Sequence, residues 1–113
     1  MQNMQVLVLV LNEYELLDQL LIALNDEGIK GATVIHSAGM AQVISKESDA
    51  ILGSIRALLT PKGEENRTIF MVLNEDKIRI AKKVIYKVLG PLDKPGKGIL
   101  FAFPVVFVEG ILN

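Results

Sequence analysis

Apolar residues run almost without interruption through Met4–Leu11 (MQVLVLVL), a stretch long enough for one strand and too short for a helix. Such a run predicts a strand buried on both faces. After it the period changes. Leu16, Leu17, Leu20, Leu21 and Leu24 recur at helical spacing and draw a single apolar stripe. Asn12, with Glu15 three residues later, predicts the N-terminal cap of that helix. Gly28 predicts its end, where a left-handed backbone suits a residue without a Cβ. Residues 32–35 (ATVI) read as a second strand.

The second half follows the same plan. Residues 68–73 predict a strand, Asn74 a cap, and Ile78, Ala81, Val84, Ile85 and Val88 a helical stripe that Gly90-Pro91 stops. Residues 99–108 predict a last apolar strand, bent or at a sheet edge because Pro104 lies inside it. The tetrapeptide Val-Leu-Asn-Glu occurs at 10–13 and again at 72–75, each time where a strand hands over to a helix. That placement suggests an internal duplication of a β-α-β unit. Two such halves predict an α+β chain with the ferredoxin-like βαββαβ order, a four-stranded antiparallel sheet carrying two helices on one face.

Residues 40–66 are too long for an ordinary connection between strands 2 and 3, and loops of this length are usually functional or disordered. Within them Ile51, Leu52, Ile55, Leu58 and Leu59 sit at helical spacing, so a short helix is expected over 51–59 between polar flanks. The length of 113 residues predicts one domain, spanning 1–113. Half of the residues are hydrophobic but only 5% are aromatic, so the core must be aliphatic.

Charge and composition narrow the chemistry. Twelve Lys and Arg against 13 Asp and Glu give a net charge of −1, which argues against a general nucleic-acid binder. Zero cysteines exclude disulfides and thiolate catalysis, and one histidine excludes a His-rich zinc site. The first residues carry no basic region before the apolar run, and that run stops well short of the ~20 residues of a membrane span. A cytoplasmic protein without membrane insertion is expected.

The most chemical-looking stretch is Asp93-Lys94-Pro95-Gly96-Lys97-Gly98. Glycines around a lysine can expose backbone N–H groups beside an ammonium and so form an anion site. It is not a nucleotide-triphosphatase loop, since the hydroxyl residue after the lysine is missing and a strand follows. On local grounds a tight turn feeding the last strand is the better explanation, and the anion signal by itself is weak. His36 has neither a nucleophile nor an orienting acid near it in sequence, so no catalytic role is expected. The acidic residues Glu13, Glu15, Asp18, Asp26 and Glu27 and the basic residues Lys77, Arg79, Lys82, Lys83 and Lys87 read as solvated helix faces.

Gly28-Ile29-Lys30-Gly31-Ala32-Thr33-Val34, followed by Gly39, resembles the Gly-Ile-x-Gly-x-Thr-Val segment of PII-type signal-transduction proteins, the nitrogen-regulatory superfamily. Residues 95–105 (PGKGILFAFPV) resemble that family's phosphate loop and final core strand, and 40–66 stand where it has a protruding effector loop. The resemblance implies a homotrimer, not an enzyme, that takes an adenine nucleotide (ATP, ADP or AMP) as effector between subunits. It further implies a target protein, a transporter or an enzyme, touched through the long loop. Gly96, Lys97 and Gly98 would hold the anion, with Thr33, Gly39 and Met40 on the base or sugar side. Both tyrosines, Tyr14 and Tyr86, fall outside the long loop, so the family's tyrosine modification is not expected. The family's basic residues after the last strand are absent, so the chain resembles the divergent PII-like branch and weaker nucleotide binding is expected. The alternative is a trimeric divalent-cation-tolerance protein of the CutA kind, or a structural protein, without a nucleotide.

Overall fold

The computed structural model describes residues 3–40 and 66–111. The loop expected over 40–66 and the helix over 51–59 therefore lie outside the described residues, apart from Met40 and Asn66. Met4–Leu11 is β1, as its apolar run predicts. The side-chain cap expected at Asn12 does not form. The chain enters α1 (Leu17–Asp26) through a 3-10 turn, Tyr14–Leu16, in which the Asn12 carbonyl accepts the Tyr14 N–H at 3.0 Å. The Asn12 side chain is engaged elsewhere, since its Oδ1 accepts from Asn66 Nδ2 at 3.4 Å.

The other end of α1 is built as expected. Gly28 adopts φ +90°, its N–H reaches the Asn25 carbonyl at 3.1 Å, and the Ile29 N–H reaches the Leu24 carbonyl at 3.0 Å. These two bonds define a Schellman stop, and Ile29 and Leu24 share the core beneath it. β2 (Thr33–Ser37) follows, and β3 (Asn66–Asn74) is longer at both ends than its apolar residues suggest. In α2 (Glu75–Leu89) the predicted cap is present: Asn74 Oδ1 accepts the Lys77 N–H at 2.9 Å. Asn74→Ala is expected to cost about 1 kcal/mol, read as a lower urea midpoint at unchanged slope.

β4 (Gly98–Pro104) is shorter than the apolar run 99–108 predicts. Proline has no N–H to donate, and regular pairing stops there, with one further bond from the Val105 N–H to the Met4 carbonyl at 3.1 Å. The sheet order is β2-β3-β1-β4, with every pair antiparallel, so β4 is an edge strand as Pro104 requires. This is the ferredoxin-like arrangement, with β1 and β3 in the centre.

One sheet face carries the core. Leu7, Leu9 and Leu11 of β1 and Ile69, Met71 and Leu73 of β3 pack with Leu20, Leu24, Ala81, Ile85 and Leu89 from the helices. The alternate residues face away. The register lays Phe101, Val8, Phe70 and Thr33 in one row across the sheet, flanked by Phe103, Val6 and Val72 and by Ile99, Val10, Thr68 and Ile35. No charged residue occurs in these rows. Ile99 is 62% exposed, and Ile35, Phe101 and Phe103 are each close to half exposed. β1 thus has the sequence of a strand covered on both faces, while its own helices cover one. Among the described residues, no helix is long and apolar enough to cross a membrane.

Candidate functional site

The Gly96–Lys97–Gly98 turn is built against the exit of β1. Gly98 pairs with Leu11 at φ +144°, and a Cβ there would lie 2.3 Å from the Val10 carbonyl oxygen. Its glycine is therefore required by strand packing. Gly96 has φ +85° with open space around it, so its freedom serves the turn alone. The Lys97 carbonyl accepts the Asn12 N–H at 3.4 Å, and its ammonium donates to Glu13 Oε1 at 3.3 Å. The Lys97 side chain is 28% exposed. Sequence reading treats Glu13 as part of a solvated helix face, and the structure instead pairs its carboxylate with the Lys97 ammonium.

The same end of the sheet gathers both ends of the 41–65 segment. Leu11 pairs with Arg67 as well as Gly98, and Ser37 pairs with Asn66. Ser37 Oγ–H donates to Asn66 Oδ1 at 2.5 Å. That uses its single hydrogen, so the 2.7 Å contact with Thr68 has the Thr68 hydroxyl as donor. The Arg67 guanidinium stacks 4.9 Å over the Tyr14 ring. His36 lies opposite Arg67 on the exposed edge strand. Gly39 and the exposed Met40 follow β2 at this end. They stand on the opposite edge of the sheet from the turn, three strand spacings or roughly 14 Å away.

Thr33 is elsewhere. It begins β2 in the middle row of the sheet, opposite Phe70, beside an open cleft of ≈ 650 Å³ floored by Phe70, Val72 and Met4. Lys30 and Lys77 line its polar side, and no carboxylate is among its lining residues. Each lysine also satisfies a carbonyl at the end of α1: Lys77 Nζ donates to Gly28 at 3.2 Å and Lys30 Nζ to Asn25 at 3.4 Å. A single chain therefore does not bring Thr33, Gly39 and Met40 together with Gly96, Lys97 and Gly98. A cleft holding all six needs the β2 edge of one copy against the β4 edge of another.

The antiparallel β2-β3-β1-β4 sheet with two helices on one face places this chain in the ferredoxin-like class. Within that class its fold is PII-like. It is similar to PII of Arabidopsis thaliana bound to citrate, with a TM-score of 0.63 and 16% identity over 92% of this chain and 78% of that one. It is similar also to a Bacillus subtilis GlnK–ATP complex, with a TM-score of 0.58 and 16% identity over 91% and 82% of the two chains. A functionally unknown protein from Pediococcus pentosaceus gives a TM-score of 0.64 and 13% identity over 98% of this chain and 100% of that one. No protein-family model matches the sequence. No curated protein matches it either.

Proposed function

We propose that this protein is a PII-like regulatory subunit, not an enzyme, that assembles as a homotrimer and binds an anionic effector between subunits. The observation that carries the reading is the apolar sheet face on which Ile99, Phe101, Phe103 and Ile35 stand about half exposed or more, the helices lying on the other face. Covering that face with further copies of the chain also places different sheet edges next to one another. The candidate residues, divided between two edges, could then complete one cleft.

The anion would lie against the Gly96 and Lys97 amides and the Lys97 ammonium. Thr33, with Phe70 and Val72, would offer a hydroxyl and an apolar surface to the base or sugar from the neighbouring copy. Two similar proteins were solved with anions, citrate in one and ATP in the other, which supports an anionic effector here. The action on a target protein, a transporter or an enzyme in the cytoplasm, would follow from a population shift. A ligand that prefers one conformation of the 41–65 segment biases it by its differential affinity.

Calorimetry with ATP, ADP and AMP tests the nucleotide. Binding at micromolar affinity or weaker is expected, about 8 kcal/mol or less, because Lys97 is the one cation of the turn's Gly-Lys-Gly. Lys97→Ala should weaken it by roughly 1.5–3 kcal/mol, the range of a hydrogen bond to a charged group. Absence of heat with all three nucleotides would remove this effector class. Titrating divalent cations next would then test the metal-tolerance alternative.

A further inference from the structure

The Gly96–Gly98 turn and the two ends of the 41–65 segment lie on different strands, yet one short polar path joins them across the end of β1. The Asn12 N–H reaches the Lys97 carbonyl and Glu13 holds the Lys97 ammonium, at 3.4 and 3.3 Å. Asn12 Oδ1 accepts from Asn66 Nδ2, and Asn66 Oδ1 accepts from Ser37. Asn66 is only 4% exposed, so its amide depends on protein partners. The path is uneven. Ser37, Asn66 and Thr68 hold one another at 2.5 and 2.7 Å, a tight unit binding the last residue of β2 to the first of β3. The links through Asn12 and Glu13 are all 3.3–3.4 Å, beyond the usual optimum. Ser37, Asn66 and Thr68 thus tie β2 to β3 by shorter contacts than those that tie this unit to β1 and β4.

We propose that Glu13, Asn12 and Asn66 are positioning residues that couple the state of Lys97 to both strand ends flanking 41–65. Glu13 is the counter-ion that an incoming anion displaces from Lys97. Asn12, the neighbour of Glu13 and bonded to both Lys97 and Asn66, carries that displacement to the Ser37–Asn66–Thr68 unit. The anion half of this inference rests on the proposed effector reading; the coupling itself does not, because it can be read without a ligand.

Amide hydrogen exchange on the full ligand-free chain tests the coupling, using peptides that cover 36–39 and 66–69. Glu13→Gln removes the charge while keeping the shape. It is expected to speed exchange in both peptides by roughly three- to tenfold, the scale of one net hydrogen bond. In an Asn12→Ala background the same substitution should leave both peptides unchanged. In an Asn12→Asp background, which keeps an acceptor for Asn66 Nδ2, the response should return. A merely structural role for Asn12 predicts no such rescue pattern. Unchanged exchange in Glu13→Gln, or an equal response with Asn12→Ala, overturns the coupling. ATP titrated into wild type and Glu13→Gln then tests the counter-ion role, with roughly tenfold tighter binding expected in the variant. Equal ATP affinity in the two overturns that role. ATP heat in neither variant overturns the nucleotide reading, while the exchange result still decides the coupling.

Discussion

Gly98→Ala is expected to destabilise the protein by about 4 kcal/mol, a large part of the roughly 5–15 kcal/mol available to a small domain. Two costs combine. At φ +144° an L side chain is strained by about 1–3 kcal/mol. The new Cβ would also sit 2.3 Å from the Val10 carbonyl oxygen, about 1 Å inside contact distance. Neither party can rotate away, because both belong to the backbones of β1 and β4, and those strands pair through Leu11 and Gly98. Relief requires prising the strands apart. Gly96→Ala is the control two residues away. Its φ of +85° carries a left-handed cost of about 1–2 kcal/mol, and nothing lies within 4 Å of the added carbon. Urea midpoints should therefore fall much further for Gly98→Ala than for Gly96→Ala. Equal losses would mean that the strands yield, and that Gly98 is not held by packing.

That contrast divides a motif which looks uniform in sequence. Gly-Lys-Gly before a buried strand suggests a phosphate cradle, but the second glycine answers to the neighbouring strand. What is left for a ligand is the first glycine, the amides of the turn and the lysine. The lysine is already paired with Glu13, 84 positions away in sequence. No local pattern could show that pairing, because it depends on β1 and β4 being neighbours.

The same distinction explains which elements were legible. β1 begins and ends where its apolar run does, and the stripe from Ile78 to Val88 delimits α2, since both signals are local in period and length. The two Val-Leu-Asn-Glu copies show the limit. Asn74 caps its helix, whereas Asn12 turns its side chain to Asn66 because three strands converge there. The apolar run 99–108 outlasts the final strand for a related reason. Residues 105–108 are as apolar as the strand before them, but Pro104 ends the ladder. Of the candidate site, the residue types were readable in sequence. Their division between two sheet edges was not, because strand order alone decides it.

Phe101→Asp is expected to convert the assembly to monomers without unfolding the subunit. Phe101 stacks on Phe103 with ring centroids 6.5 Å apart, and both belong to the uncovered rows of the sheet. Burying a phenylalanine against another copy contributes roughly 1.5–3 kcal/mol, and the substitution loses it in every subunit. An aspartate in its place would have to leave water beside Val8 and Phe70, where the rows offer no cation to pair with it. Several kcal/mol lost per contact, repeated around a ring, moves the dissociation constant by many powers of ten. In the isolated subunit the same residue is about half exposed, so the fold itself should lose under about 1 kcal/mol. Light scattering at micromolar concentration should return three 12.4 kDa chains for wild type, about 37 kDa, and a single chain for Phe101→Asp. Lys82→Asp is the matched control, since Lys82 is exposed on α2 and away from the sheet face, and it should leave the trimer intact. Wild type running as a monomer would sink the assembly and with it any site shared between subunits. A trimer that survives Phe101→Asp would place the interface on some other surface.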